Sequence, residues 1–148
     1  MTLIENKKAR MRFTVLETIQ AGIELDGGEV KSVRKRQGSL DGARVIVRGG
    51  EAYLVGMTIP PYQVANTSPA YNPERHRRLL LKKKEIVQIS DAEDKKGLTV
   101  VPLELYNAGR YLKVRVAIVS GKNKADKRED LKLKDAKREM DRALKQKR

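Results

Sequence analysis

Residues 98–119 read LTVVPLELYNAGRYLKVRVAIV. In the second half Leu112, Val114, Val116 and Ile118 alternate with Tyr111, Lys113, Arg115 and Ala117, the period of two that a strand with one buried face requires. One face is apolar and the other carries charge. Asn107-Ala108-Gly109 separates this run from Leu98 to Tyr106, so the pattern predicts two strands, Leu98 to Tyr106 and Arg110 to Val119, joined by a tight connection.

Working back toward the N-terminus, Lys82 to Lys96 has a helical pattern, with Ile86 and Ile89 three apart and Gly97 as a stop, and Leu79-Leu80-Leu81 leads into it. Thr58 to Arg78 differs in character. Pro60-Pro61, Pro69 and Asn72-Pro73 resist regular structure, and loops longer than ~12–15 residues inside compact domains are usually functional or disordered. This one ends in Arg75-His76-Arg77-Arg78, which favours function.

Before that loop, Ala43 to Val47 and Glu51 to Met57 flank Gly49-Gly50, the residues that supply positive φ in a two-residue hairpin turn. Asp26-Gly27-Gly28 is a turn into a short helix, Glu29 to Arg36, with Val30 and Val33 on one side. Ala9 to Leu25 reads as a bent first strand broken at Ala21-Gly22. Five or six hairpin-linked, mostly antiparallel strands with short helices suit a small barrel of the oligonucleotide-binding (OB-like) type. No repeat at a fixed period of ~20–50 residues points to a solenoid or propeller.

The 148 residues suffice for one domain. Lys and Arg total 33 against 19 Asp and Glu, a net +14 that calls for a polyanionic partner, nucleic acid first. There is no cysteine and one histidine, His76, so thiolate zinc sites, disulfide frameworks and histidine metal clusters are excluded. No apolar run reaches the ~18 residues of a membrane span, and Met1 to Arg10 lacks an apolar signal core, so a cytoplasmic chain is expected. Catalytic signatures are missing as well. Gly27-Gly28 lacks the Gly-Lys-Ser/Thr continuation of a phosphate loop, no Ser sits in a nucleophile motif, and Asp91 with Glu93 belongs to a charged helix end. The chain reads as a non-enzyme with no cofactor.

Composition divides the chain into a folded body, residues 1–119, and a tail, residues 120–148. The tail has only 7 apolar residues among 29, with 12 Lys or Arg against 6 Asp or Glu. It buries too little to offset the entropy of ordering and is expected to be disordered when free. Yet Leu133, Ala136, Met140 and Ala143-Leu144 recur at helical spacing, and Asp126 and Glu129 suit a helix start, so it is expected to become an amphipathic helix on a partner.

In the body the cations cluster at Lys7-Lys8 with Arg10 and Arg12, at Lys31 with Arg34 to Arg36, at Arg75 to Arg78, and at Lys82 to Lys84. Each can neutralise phosphates with release of counterions. Six aromatic residues and no Trp argue against a barrel that grips single strands by stacking alone, and favour folded RNA read through its backbone and exposed loop bases. Tyr62 and Tyr71 in the loop could stack on bases, but loop tyrosines more often pack locally.

Specific strings add to this. Asn6-Lys7-Lys8-Ala9-Arg10, Ala21-Gly22-Ile23, Glu29-Val30-Lys31-Ser32, Asn72-Pro73 through Arg77-Arg78-Leu79-Leu80-Leu81, Gly97 through Leu103, and Asp126-Lys127-Arg128-Glu129 occur in this order and closely resemble the SmpB family of bacterial SsrA-binding proteins. The resemblance implies an RNA chaperone that binds the tRNA-like domain of transfer-messenger RNA (tmRNA). In that family the alanyl-charged RNA is delivered with elongation factor Tu and GTP to ribosomes stalled on truncated messages, the nascent peptide is tagged for degradation, and the ribosome is released. The barrel takes the place of a missing anticodon arm, and the tail turns helical in the empty message channel near the decoding centre.

Carried onto this sequence, the family's RNA-binding positions fall on Asn6, Gln20 and Leu80, with Gln20 where relatives usually have Glu. With the basic clusters they give an expected RNA-binding set of Asn6, Lys7, Lys8, Arg10, Gln20, Glu29, Lys31, Arg34, Arg75, Arg77, Arg78 and Leu80. The expected ribosome-binding set in the tail is Lys122, Asp126, Lys127, Arg128, Lys132, Lys134 and Met140, and Ala125 stands where relatives commonly have His or Tyr. The protein is expected to act as a monomer. A structural ribosomal protein with a basic extension is the alternative that the charge distribution also fits.

Overall fold

The computed structural model describes residues 1–121. The chain runs β1 (Thr2–Glu5), α1 (Lys7–Arg12), β2 (Phe13–Ile23), α2 (Gly27–Arg34), β3 (Arg44–Arg48), β4 (Glu51–Val55), a single 3-10 turn at Val64–Asn66, β5 (Arg77–Leu80), α3 (Lys83–Asp94), β6 (Leu98–Ala108) and β7 (Tyr111–Gly121). The strands form one antiparallel sheet in the order β1-β6-β7-β2-β5-β4-β3. The sheet curls so that β3 packs close to β6, while among the described residues no ladder joins the edge strands β1 and β3. The expected class, mostly antiparallel β with short helices, is observed.

The hairpins follow their turn chemistry. Gly49 (φ +61) and Gly50 (φ +77) join β3 to β4, with Arg48 paired to Glu51. Between β6 and β7 the ladder continues to Ala108 and Tyr111, so Gly109 (φ +63) and Arg110 alone make the turn, tighter than the three residues expected. The alternation of β7 is realised. Leu112, Val114, Val116 and Ile118 enter the main core with Leu54, Met57, Ile59, Leu79, Ile89 and Leu105, whereas Ala117 and Val119 face a smaller cluster with Ala9, Val101 and Leu103.

That smaller cluster explains one correction. The first strand does not begin at Ala9, because Lys7–Arg12 is helical and covers the second face of β6 and β7 with Ala9. Asn6 starts this helix, accepting a hydrogen bond from the Ala9 amide at 3.2 Å. Two strands were not foreseen, the four-residue β1 and β5, which makes seven rather than five or six. Strands this short carry too few residues for a period-two signal, and their pairing across the sheet is what holds them.

β7 also runs on to Gly121, which pairs with Phe13, two residues beyond the expected end of the body. The tail expectations, its disorder when free, its helix when bound and its seven candidate ribosome contacts from Lys122 to Met140, lie outside the described residues.

Candidate nucleic-acid interface

The string Arg77-Arg78-Leu79-Leu80 is strand β5, and its pleat separates neighbours. Arg77 and Leu79 point inward and are fully buried, while Arg78 and Leu80 point outward, Leu80 at 46 % exposure. β5 pairs with β4 along Ala52 to Leu54 and meets β2 only at Gly22–Leu80 and Ile23–Leu79. The short contact with β2 leaves a groove of about 640 Å³ over this junction, lined among others by Gln20, Gly22, Arg78, Leu80, Lys82, Lys83 and Lys113.

Arg78 reaches Glu24 and Glu51 only at 3.7 Å, with all three side chains exposed, pairs of the kind worth little in water. Its charge is therefore available to a phosphate. Lys82 starts α3, where its amide donates to Glu85 Oε1 at 2.9 Å, and Lys82 and Lys83 both line the groove. Lys113 comes from the polar face of β7, across the ladder from Gly22. A second slot of about 280 Å³ shares Gly22, Leu80 and Lys113 with this groove and adds Arg34, Arg110 and Tyr111. Together they form a continuous cationic surface around an exposed leucine.

Beside the groove, Glu29 is 1 % and Arg77 0 % exposed, and they pair inside the protein. Asp26 caps α2 by accepting from the Glu29 amide at 2.8 Å, and Glu29 Oε1 accepts from the Asp26 amide at 3.0 Å, a reciprocal capping box. Arg77 Nε donates to Glu29 Oε2 at 2.8 Å. Arg77 also donates to the carbonyls of Met57 (2.8 Å), Arg75 (3.0 Å) and Pro73 (2.8 Å). Arg75 completes the pair of cations on Glu29. The Tyr71 hydroxyl donates to the Ile59 carbonyl at 2.8 Å, with Glu29 Oε2 at 3.2 Å.

Burial pushes the Glu29 carboxyl up, but the hydrogen bonds from Arg75, the Asp26 amide and Arg77 outweigh it and hold the group below its ordinary value of 4.5. Burial, then the Glu29 charge, pushes the Tyr71 phenol up. The hydrogen bond to Glu29 raises Arg75. This network fastens both ends of the long loop, with Ser32 Oγ donating to the Pro60 carbonyl at 2.8 Å. The two loop tyrosines pack locally, Tyr62 beneath the ammonium groups of Lys31 (5.7 Å) and Lys35 (5.0 Å).

The twelve expected RNA-binding residues thus fall into three places. Gln20, Arg34, Arg78 and Leu80 line the cationic surface, with Lys31 exposed on α2 beside Arg34. Glu29 and Arg77, with half-buried Arg75, belong to the interior network, where their polar atoms are engaged with the protein itself. Asn6, Lys7, Lys8 and Arg10 gather at α1, where Asn6 and Lys8 line a separate depression of about 210 Å³ with Arg12 and Arg44. Asn6 is 2 % exposed and its side-chain amide donates to the Pro102 carbonyl at 2.9 Å. Among the described residues the side chains of Asn6, Glu29 and Arg77 hold the protein's own backbone, at Pro102, Asp26 and Met57 respectively.

Sequence reading missed Lys113, Arg110 and Tyr111. The alternation of β7 placed Lys113 and Tyr111 on its polar face, but nothing in the chain announced that this face meets the end of β5.

Fold and groove define a class, a small β protein presenting a cationic surface suited to a phosphate backbone. The profile of the family described as SmpB protein matches residues 3–146. An SsrA-binding protein of Alkalilimnicola ehrlichii is 45 % identical over 142 residues, covering 96 % of this chain and 89 % of that protein. One of Chlorobaculum tepidum is 44 % identical over 147 residues, covering 99 % and 93 %. A solved structure described as "tmRNA-SmpB: a journey to the center of the bacterial ribosome" superposes with a TM-score of 0.68 at 37 % identity, covering 86 % of this chain and 93 % of that one. The chain belongs to the SmpB family.

Proposed function

We propose that this protein binds the tRNA-like domain of transfer-messenger RNA and enables its delivery to stalled ribosomes for trans-translation. The observation that carries the reading is the cationic surface at the β2–β5 junction, which supplies Arg34, Arg78, Lys82, Lys83 and Lys113 around exposed Leu80. Family membership supports the same partner, since relatives are SsrA-binding proteins and the superposed structure is of tmRNA with SmpB on the ribosome. The protein acts by binding, as a monomer in the cytoplasm, and meets elongation factor Tu with GTP only through the alanyl-charged RNA.

The parts divide the work. Arg34, Arg78 and the lysines hold phosphates, while Gln20 and Leu80 touch bases or riboses at the groove floor. Glu29, Arg75 and Arg77 keep the loop and β5 in register so that Arg78 and Leu80 face outward. The α1 cations Lys7, Lys8 and Arg10 form a second RNA-facing surface, with Asn6 fixing their helix. The tail, through Lys122, Asp126, Lys127, Arg128, Lys132, Lys134 and Met140, engages the decoding centre and message channel.

Competition binding tests this directly. Labelled tRNA-like RNA should be displaced by itself and poorly by an RNA duplex of equal length, with affinity falling steeply as salt rises. Equal displacement by both RNAs would overturn the proposal.

A further inference from the structure

We propose that the slot beside the hairpin tip of β6 and β7 takes one unstacked nucleobase of the bound RNA, with Tyr111 as its stacking platform. The inference rests on the RNA-binding reading above and adds a base-reading subsite to it. Tyr111 is the first residue of β7 and stands 71 % exposed. An aromatic ring so exposed has no packing role, and it borders the slot of about 280 Å³ floored by Ile23, Leu25, Leu112 and exposed Leu80. Gly22 adds no side chain to the wall.

The rim is cationic. Arg34 Nη2 donates to the Arg110 carbonyl at 3.1 Å, which ties α2 to the hairpin tip and holds a guanidinium at the slot edge. Arg110 and Lys113 add two more positive charges on the same opening. A small, largely apolar recess bordered by an exposed aromatic ring and three cations matches a base whose 5′ and 3′ phosphates remain outside. An aliphatic side chain of a protein partner would use the floor and leave the charges unanswered. Because the slot shares Gly22, Leu80 and Lys113 with the larger groove, a strand lying in that groove can turn one base into it.

Stacking is separable from charge, and the test uses that. Full-length Tyr111→Ala, Tyr111→Phe and Arg34→Ala proteins are titrated with the tRNA-like RNA and with a duplex of equal length over a range of salt. Tyr111→Ala is expected to bind the tRNA-like RNA on the order of tenfold more weakly, with the slope of log affinity against log salt unchanged. Tyr111→Phe should stay within about twofold of the parent, since the ring is retained. Arg34→Ala should lower the slope by about one. If Tyr111→Ala binds as the parent does while the parent still prefers the tRNA-like RNA, the subsite is refuted and the RNA-binding reading stands. Equal losses in Tyr111→Phe and Tyr111→Ala would also refute stacking. If the parent shows no preference, the broader reading falls and takes the subsite with it.

Discussion

Gly22 lies across the β2–β5 ladder from Leu80, and a methyl group added at Gly22 would come within 3.1 Å of the Leu80 Cβ. Leu80 is exposed at the floor of the groove, and its position depends on there being no side chain opposite. Gly22 has no positive φ, so the backbone itself accepts alanine. Gly22→Ala is expected to fold with a melting temperature close to the parent and to lose severalfold in RNA affinity, because Leu80 must shift by a few tenths of an ångström. Thermal melts together with binding titrations check this. Unchanged affinity would show that the placement of Leu80 is not critical.

Glu29 holds two arginines in the interior, and removing its charge leaves Arg77 buried without a counter-ion. Glu29→Gln is expected to lower unfolding free energy by about 3 kcal/mol, measured by urea denaturation at pH 7. The folded-state carboxyl titrates below its ordinary value of 4.5. Its stabilisation is thus complete above that value and is lost as pH falls through and below it. The parent should lose stability on acidification in that window, and Glu29→Gln should lose less. Parallel curves would mean that Glu29 contributes nothing to the acid sensitivity.

The groove cations are predicted to act on the RNA backbone. Arg78→Ala, Lys82→Ala and Lys113→Ala should each weaken binding to every RNA tested by a similar factor and lower the salt slope by about one. Arg77→Ala should instead lower the melting temperature, since its guanidinium serves the Met57, Pro73 and Arg75 carbonyls. The contrast between neighbouring arginines tests the pleat of β5 in functional terms.

How much of this was legible in the chain depended on the length of each signal. The eleven-residue β7 and the Gly49-Gly50 hairpin carry enough period and turn chemistry to be read directly. Arg77 and Arg78 were not separable, because a run of cations reads as one basic cluster until the pleat of a four-residue strand assigns alternate residues to opposite faces. Glu29 reads in sequence as the first residue of a basic helix and as an RNA contact, and only the return of β5 forty-eight residues later brings Arg77 onto it in the interior. Asn6 precedes a helix of six residues, too short for a periodic pattern, so its capping role was hidden. The slot at Tyr111 joins β2, β5 and β7, which the sheet order brings together, with α2, which Arg34 ties to the hairpin tip.

The tail and the body are predicted to separate by variant. A protein with Asp126→Ala, Lys127→Ala and Arg128→Ala should bind the tRNA-like RNA nearly as the parent does and fail to support peptide tagging on stalled ribosomes. Binding titration and a tagging assay with a message lacking a stop codon read the two functions. Truncation for the same purpose begins at Lys122, because Gly121 is still paired in β7. Normal tagging by the triple variant would remove these residues from the ribosomal role.

The most direct measurement is the RNA that the protein retains when isolated from bacterial cells under mild salt. Sequencing that pool should return transfer-messenger RNA far above its cellular share, and an Arg78→Ala, Leu80→Ala protein should lose the enrichment while remaining folded. A pool that mirrors the total RNA of the cell would contradict the assignment of the β2–β5 groove to a tRNA-like partner.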